Sequence, residues 1–294
     1  MRLPPENRSL PSPRLPTEIC ERVIDWVAEE PGFDGSHRLY ADGDALKSLR
    51  ACALTCRAWT ARARIHMFRN LRILCALNID GNTADLSSLL AANPALPLRV
   101  KVVIAKALPE HYSTLHIVPF ALPQLLPRLE YLRLARGLFH PAPCIFPAMN
   151  RFTSVTKLSL DEVVFYSTHD LRRTIGSFRA LQILELWDIS WHIKSFSVDM
   201  SPRSSYCPQS AVRLKKLLIV VDRTWLLDRR SVPILEWLGK SGILSSLEVL
   251  SLCRMMILSS RMLAAVETAI QAAAISLEKV WLAIGPEIEF SKCK

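Results

Sequence analysis

The pattern apolar-x-x-apolar-x-apolar recurs six times along the chain: LEYLRL at 129–134, VTKLSL at 155–160, LQILEL at 181–186, LKKLLI at 214–219, LEVLSL at 247–252 and LEKVWL at 277–282. The first three starts lie closer together than the later ones. One such hexapeptide carries little information. Six in phase constrain the fold, because self-similarity at such a period marks units that bury their apolar faces on one another. LRI at 71–73 and VKVVI at 100–104 fit as earlier members. Inside each hexapeptide the period of two is that of a strand.

Between the strands lie segments of helical period: ADLSSLLAA, THDLRRTIGSF with Leu171, Ile175 and Phe178, SVPILEWLG, and SSRMLAAVETAIQAAAI. Strand and helix in alternation predict an α/β fold over 71–294, an irregular leucine-rich-repeat solenoid with parallel strands on the concave face and helices outside. The unequal spacing and the missing Asn signature make it irregular. Positions 190–212 are polar and Pro-punctuated, which predicts a long loop. Strand alternation sends the apolar anchors inward and leaves the residues between them on the open face. Tyr131, Arg133, Lys157, Asp161, Glu185, Trp187, Lys216 and Trp281 are the candidate target-binding residues there, with Leu218 and Lys279 beside them. Aromatic anchors among scattered charges suit protein recognition. The alternative for Trp187 and Trp281 is that the twist of the repeats turns them into packing contacts.

The chain ahead of these repeats reads differently. Positions 1–14, MRLPPENRSLPSPR, are Pro-rich and polar and predict a flexible tail. LPTEICERVIDWVAEE then starts a helix: Pro16 suits an early position, Thr17 can cap, and Glu18 and Glu21 favour the positive end of the dipole. Ile19, Val23, Ile24 and Val27 form its apolar stripe. Positions 28–44 hold three glycines, a proline and five acids, which predicts a loop. Helix resumes in ALKSLRACALTCRAWTARARIHMF, with Leu46, Leu49, Ala53, Cys56 and Phe68 as apolar contacts. The net charge is +10, and seven of those charges sit between 45 and 72 as Lys47, Arg50, Arg57, Arg62, Arg64, Arg69 and Arg72, with no acid among them. Such a cluster is complementary either to nucleic acid or to an acidic protein. Trp59 and Phe68 lie on the apolar side of the pattern, so the aromatic platforms of single-strand binding are lacking, which argues against nucleic acid.

LPTEICERVIDWV followed by LRACALTCRAWTARARIHMFRNLRI resembles an F-box over 15–70. That pattern runs Leu-Pro, a Glu two positions on, an apolar helix, a second helix, and an apolar-Cys-x-x-Trp ending. Leu15, Pro16, Glu18, Ile19, Ile24, Leu49, Cys52, Leu54, Thr55, Cys56 and Trp59 stand at those places. The wording RACALTCRAW is similar to that of F-box proteins abundant in mushroom-forming fungi. The 28–44 insertion is longer than the family's usual turn. The resemblance implies a three-helix module that docks on the acidic Skp-type adaptor of a cullin–RING ubiquitin ligase, with Leu15, Pro16, Glu18, Ile19, Ile24, Leu49, Cys52, Leu54, Cys56 and Trp59 as its adaptor-binding residues. It also implies a role as substrate-recognition subunit, with an unidentified protein target on the repeats. A non-degradative scaffolding role and a nucleic-acid-binding role for the basic cluster stay open beside it.

Independent chemistry is not written in the sequence. Cys52, Cys56 and His66 lack a fourth ligand at zinc spacing, and Cys at i, i+4 on an apolar helical face reads as packing. His111, His116, and His140 with Cys144 are lone polar residues in Pro-rich loops. No Gly-rich phosphate loop or Ser elbow occurs, so the reading is a non-catalytic subunit without cofactor or metal. Eight scattered cysteines fit a reducing compartment. The longest apolar runs, such as LLIVV at 217–221, are strand-sized and far short of the roughly 18 residues of a membrane span. The expected location is intracellular, cytoplasmic or nuclear.

Overall fold

A computed structural model describes residues 16–28, 42–75, 88, 90–94, 96–107, 115, 118–139, 144–192, 212–221, 232–253 and 259–283. The expected tail at 1–14, Leu15, and His111, His116 and His140 lie outside them. So do most of the loops expected at 28–44 and 190–212, although Asp42 and its successors already belong to a helix. The chain divides into two compact units, Met1–Arg69 and Asn70–Lys294. The first contains helices α1 (Thr17–Ala28), α2 (Asp42–Thr55) and α3 (Arg57–Met67).

The strands of the second unit are β1 (Asn70–Cys75), β2 (Val102–Ala107), β3 (Tyr131–Ala135), β4 (Leu138–Phe139), β5 (Lys157–Asp161), β6 (Val164–Phe165), β7 (Ile183–Trp187), β8 (Ser190–Trp191), β9 (Lys216–Val220), β10 (Val249–Cys253) and β11 (Lys279–Ala283), of which β3, β5, β7, β9, β10 and β11 are the six apolar hexapeptides and β1 and β2 the two earlier members. The protein is mixed α/β. Among the described residues eight strands form one parallel sheet in the order β1-β2-β3-β5-β7-β9-β10-β11, which follows the chain and does not close into a barrel, and β4, β6 and β8 form a second ladder. β8 occupies Ser190–Trp191, where the sequence predicts the start of a loop, because so short a strand shows no period.

Strand entry is the same in successive repeats. The carbonyls of Lys101, Glu130, Thr156, Gln182, Lys215 and Glu248 each accept two successive N–H groups from the next strand's start, at 2.7–3.0 Å. This column fixes register whatever length of chain lies between, so unequally spaced hexapeptides give one in-phase ladder.

Strand exit is also repeated. Arg136, Glu162 and Asp188, equally spaced along the chain, follow β3, β5 and β7 with φ of 55°, 51° and 47°. Their N–H groups donate to the carbonyls of Asp161, Trp187 and Val220 on the next strand at 2.8, 2.8 and 3.0 Å. These left-handed turns send the chain from the large ladder into the small one. A side chain in this region carries about 1 kcal/mol of strain that glycine avoids. Glu162→Gly is therefore expected to raise the denaturant midpoint slightly. Glu162→Val, β-branched at positive φ, should lower stability by about 1–2 kcal/mol. Urea titration of the two variants reads the difference.

The core sits on one face of the sheet. Leu132, Leu134, Leu158, Leu160, Leu184, Leu186, Leu217, Ile219, Leu250 and Leu252 are buried there in two rows. Helices α4 (Val118–Leu125), α5 (Ile145–Met149), α6 (Thr168–Gly176), α7 (Val232–Lys240) and α8 (Ser260–Ala273) supply buried partners, among them Leu122, Met149, Ile175, Leu235 and Met262. Phe139, Phe165 and Trp191 follow one another along the small ladder, with ring centroids 5.4 and 6.4 Å apart. Ser167 caps α6, accepting from the Asp170 N–H at 3.2 Å and donating to its carboxylate at 2.7 Å. At β11 the pattern fails. Val280 and Leu282 belong to the core rows by phase and are nevertheless exposed, because no later strand and helix among the described residues cover them.

Candidate functional site

Leu15 aside, the residues expected to bind an adaptor lie on or at the ends of the three N-terminal helices. The apolar pattern runs without a break from Ala45 to Phe68, whereas the structure ends one helix and starts the next at Cys56, between α2 and α3. There the backbone is extended, with φ −160° and ψ 167°, and the exposed Cys56 stands as the N-cap of α3 without a side-chain cap bond. The Thr60 hydroxyl donates to the Ala53 carbonyl at 2.6 Å and so fastens the joint. Cys56 is thus not the apolar contact expected of it.

Ile24, Ala28, Leu49 and Ala63 form the core of the unit, with Val27, Cys52, Ala53, Trp59 and Met67 packed against them. Ile24, Leu49, Cys52 and Trp59 of the expected adaptor-binding set therefore hold the three helices together. The stripe on α1 is also corrected. Cys20 joins Ile24 and Ala28 as the buried side, whereas Ile19 and Val23 are exposed. The helix has two apolar sides, and periodicity alone merges them.

The second side faces out. Pro16, Ile19, Val23 and Trp26, at spacings of three, four and three, form one helical stripe. Trp26 is 69% exposed, and Leu54 near the end of α2 is 87% exposed. Glu18 is exposed in the first turn of α1. Lys47, Arg50, Arg57, Arg64 and Arg69 are exposed on or just beyond α2 and α3, with Ala51, Ala58 and Ala61 exposed on the same helices. Large apolar side chains and long basic ones are thus both exposed on a unit whose own core is small.

Arg62 is spent inside the unit. Its guanidinium donates to both oxygens of Asp25 at 2.7 and 2.6 Å, and His66 Nε2 lies 2.8 Å from the same carboxylate, so α1 is clasped to α3. The Arg62 hydrogen bond, opposed in part by desolvation and reinforced by His66, lowers the Asp25 pKa to about 2. The contact to Asp25 likewise raises the Arg62 guanidinium. Because the folded carboxyl lies below its unfolded value near 4, the stability it contributes is present above about pH 4 and lost as pH falls toward 2. The denaturation midpoints of wild type and Asp25→Asn should differ most at about pH 6 and converge between about pH 4 and 2. Partial exposure of the pair keeps the difference small.

The polar face of the sheet is not open throughout. Tyr131, Arg133 and Asp161, expected to be accessible, are buried. The Arg133 guanidinium donates to Asp161 Oδ2 at 2.7 Å, and Lys157 pairs with Glu185 at 2.8 Å while lying 4.5 Å over the Tyr131 ring. Strands side by side bring these charges within reach, and they satisfy one another instead of facing water. Burial, with the Glu185 charge behind it, pushes the Tyr131 hydroxyl well above its ordinary pKa. Desolvation opposes the charge on Arg133, but its hydrogen bond to Asp161 and that carboxylate's charge raise the guanidinium overall. Trp187 and Leu218 pack on Val220, Cys253 and Ala283, which is the packing alternative for that tryptophan. Lys216, Lys279 and Trp281 are the members of the expected set that stand exposed.

Among the described residues no group of three His, Cys, Asp or Glu side chains could hold a metal, and no helix is long and apolar enough to cross a membrane. Asp25 and Thr60 carry local structure that the sequence reading passed over. Asp25 had a signal, an acid directly after the buried Ile24 in an otherwise apolar stretch. No protein-family model matches the chain, and no curated protein matches it.

Proposed function

We propose that the chain is the substrate-recognition subunit of an SCF-type cullin–RING ubiquitin ligase, an F-box on a leucine-rich-repeat solenoid. The N-terminal helices dock on the Skp-type adaptor, and the sheet region presents a target protein. Catalysis belongs to the assembled ligase, to which this chain contributes proximity and orientation. One observation carries the reading: the outward stripe of Pro16, Ile19, Val23 and Trp26, with Leu54 and the exposed arginines, sits on a unit whose own core needs none of them. Apolar anchors supply affinity, and the arginines steer an acidic partner, which acts on association rate more than on affinity.

Target binding falls to the C-terminal part of the polar face, where Lys216, Lys279 and Trp281 are exposed. Tyr131, Arg133 and Asp161 serve that face as its internal support. The deciding experiment is a pull-down of the full chain with a purified Skp-type adaptor at physiological salt. Capture supports the proposal. Absence of capture, together with strongly salt-dependent retention on nucleic acid, would transfer the basic cluster to the rival reading.

A further inference from the structure

Among the described residues β11 stands last in the order of the eight-stranded sheet, and it exposes side chains on both faces: Val280 at 41%, Trp281 at 45% and Leu282 at 50%. Leu263 of α8 and Ile275 in the turn before β11 are exposed as well. Natural edges are blunted by Pro, by a bulge or by inward charge. KVWLA has none of these, and Lys279 at its start is the sole charge in the strand.

The backbone polarity of this edge is fixed by its inner neighbour. The Lys279 N–H donates to the Glu248 carbonyl at 3.0 Å, and Lys279, Trp281 and Ala283 register with Val249, Ser251 and Cys253. In a parallel ladder, alternate residues turn both backbone groups to one neighbour. Val280 and Leu282 therefore turn their N–H and C=O groups outward.

We propose that β11 is a homodimer edge, pairing antiparallel with β11 of a second copy about a two-fold axis that is normal to the sheet and passes midway between the two Trp281 residues. In that register Val280 stands opposite Leu282 of the second copy, and each such pair exchanges both of its N–H···O bonds. The paired side chains are apolar and lie on the same face, the face of the helices. On the other face Trp281 meets its own copy and Lys279 meets Ala283, so no like charges are set against each other. The strand is its own complement in sequence parity, in hydrogen-bond polarity and in charge, which is what an isologous contact requires. The dimer continues one sheet across two molecules through residues of the second unit alone. It does not rest on the adaptor reading.

Sedimentation equilibrium of the full chain over about 1–100 µM tests it. Wild type is expected to move reversibly from the 33.2 kDa chain mass to twice that mass. Val280→Lys and Leu282→Glu, each at an exposed position, should each weaken association at least about tenfold, with circular dichroism unchanged. The double variant Val280→Lys/Leu282→Glu sets lysine against glutamate twice across the axis and should return association to within about threefold of wild type. A wild type that stays monomeric at about 100 µM overturns the proposal and leaves the edge to an extended peptide or another protein. Dimerisation indifferent to the single variants, or not rescued by the double one, overturns it too.

Discussion

Val23→Asp combined with Trp26→Asp is expected to abolish capture of a Skp-type adaptor while leaving the helical content of the chain intact. Both side chains lie on the outward side of α1, where an acid is solvated in the free protein. In a docked complex the same acids would be buried without a partner, opposite an adaptor surface that is itself acidic under the proposal. Apolar anchors of this kind contribute about 2 kcal/mol each, so the pair corresponds to about a thousandfold in affinity. Trp59→Ala is the contrasting change. That ring packs on the core of Ile24, Ala28, Leu49 and Ala63, so its removal should loosen the three helices and lose capture together with helicity. Tight capture by the double Asp variant, measured by calorimetry against the purified adaptor, would refute docking through α1.

Arg133→Met is expected to destabilise the sheet unit by about 3 kcal/mol, a fall of roughly 6–12 °C in melting temperature. The change strands Asp161, whose carboxylate is buried and accepts from Arg133 at 2.7 Å. Arg133→Met with Asp161→Leu removes both charges and should recover most of the loss, because paired charges in a dry site contribute little over apolar isosteres. Had these residues been recognition groups on open ground, both variants would melt like wild type and only target capture would fall. Thermal unfolding followed by near-ultraviolet circular dichroism separates the two outcomes.

Strand phase was legible because Leu132 and Leu134, and their counterparts in the hexapeptides up to Leu252, are buried on the strength of alternation alone. Segments 168–178, 231–239 and 259–275 became helices with closely similar bounds, since each carries an apolar stripe of helical period. The helical break at Cys56 was hidden, because a small apolar residue continues the periodic pattern that the backbone abandons. The two apolar sides of α1 were merged because Val23 lies three positions from the buried Cys20 and equally three from the exposed Trp26. Most of the difference at the site is electrostatic. Arg133 and Asp161 are far apart in the chain and meet only across neighbouring strands, and nothing local to either marks the other as its partner. The left-handed turns at Arg136, Glu162 and Asp188 left no signal either, because none of the three is the glycine that such a turn would advertise.

The column of carbonyls at strand entry reaches beyond stability. Each carbonyl hands the next strand its starting point, so the chain between two strands has no part in setting where the second begins. Insertions and deletions in that stretch change the outer side of the sheet unit without shifting a single pair on the inner one. A lineage carrying this architecture can therefore rebuild its exterior by gain and loss of segments while its ladder is inherited unaltered, and the unequal intervals between strand starts are the trace such editing would leave.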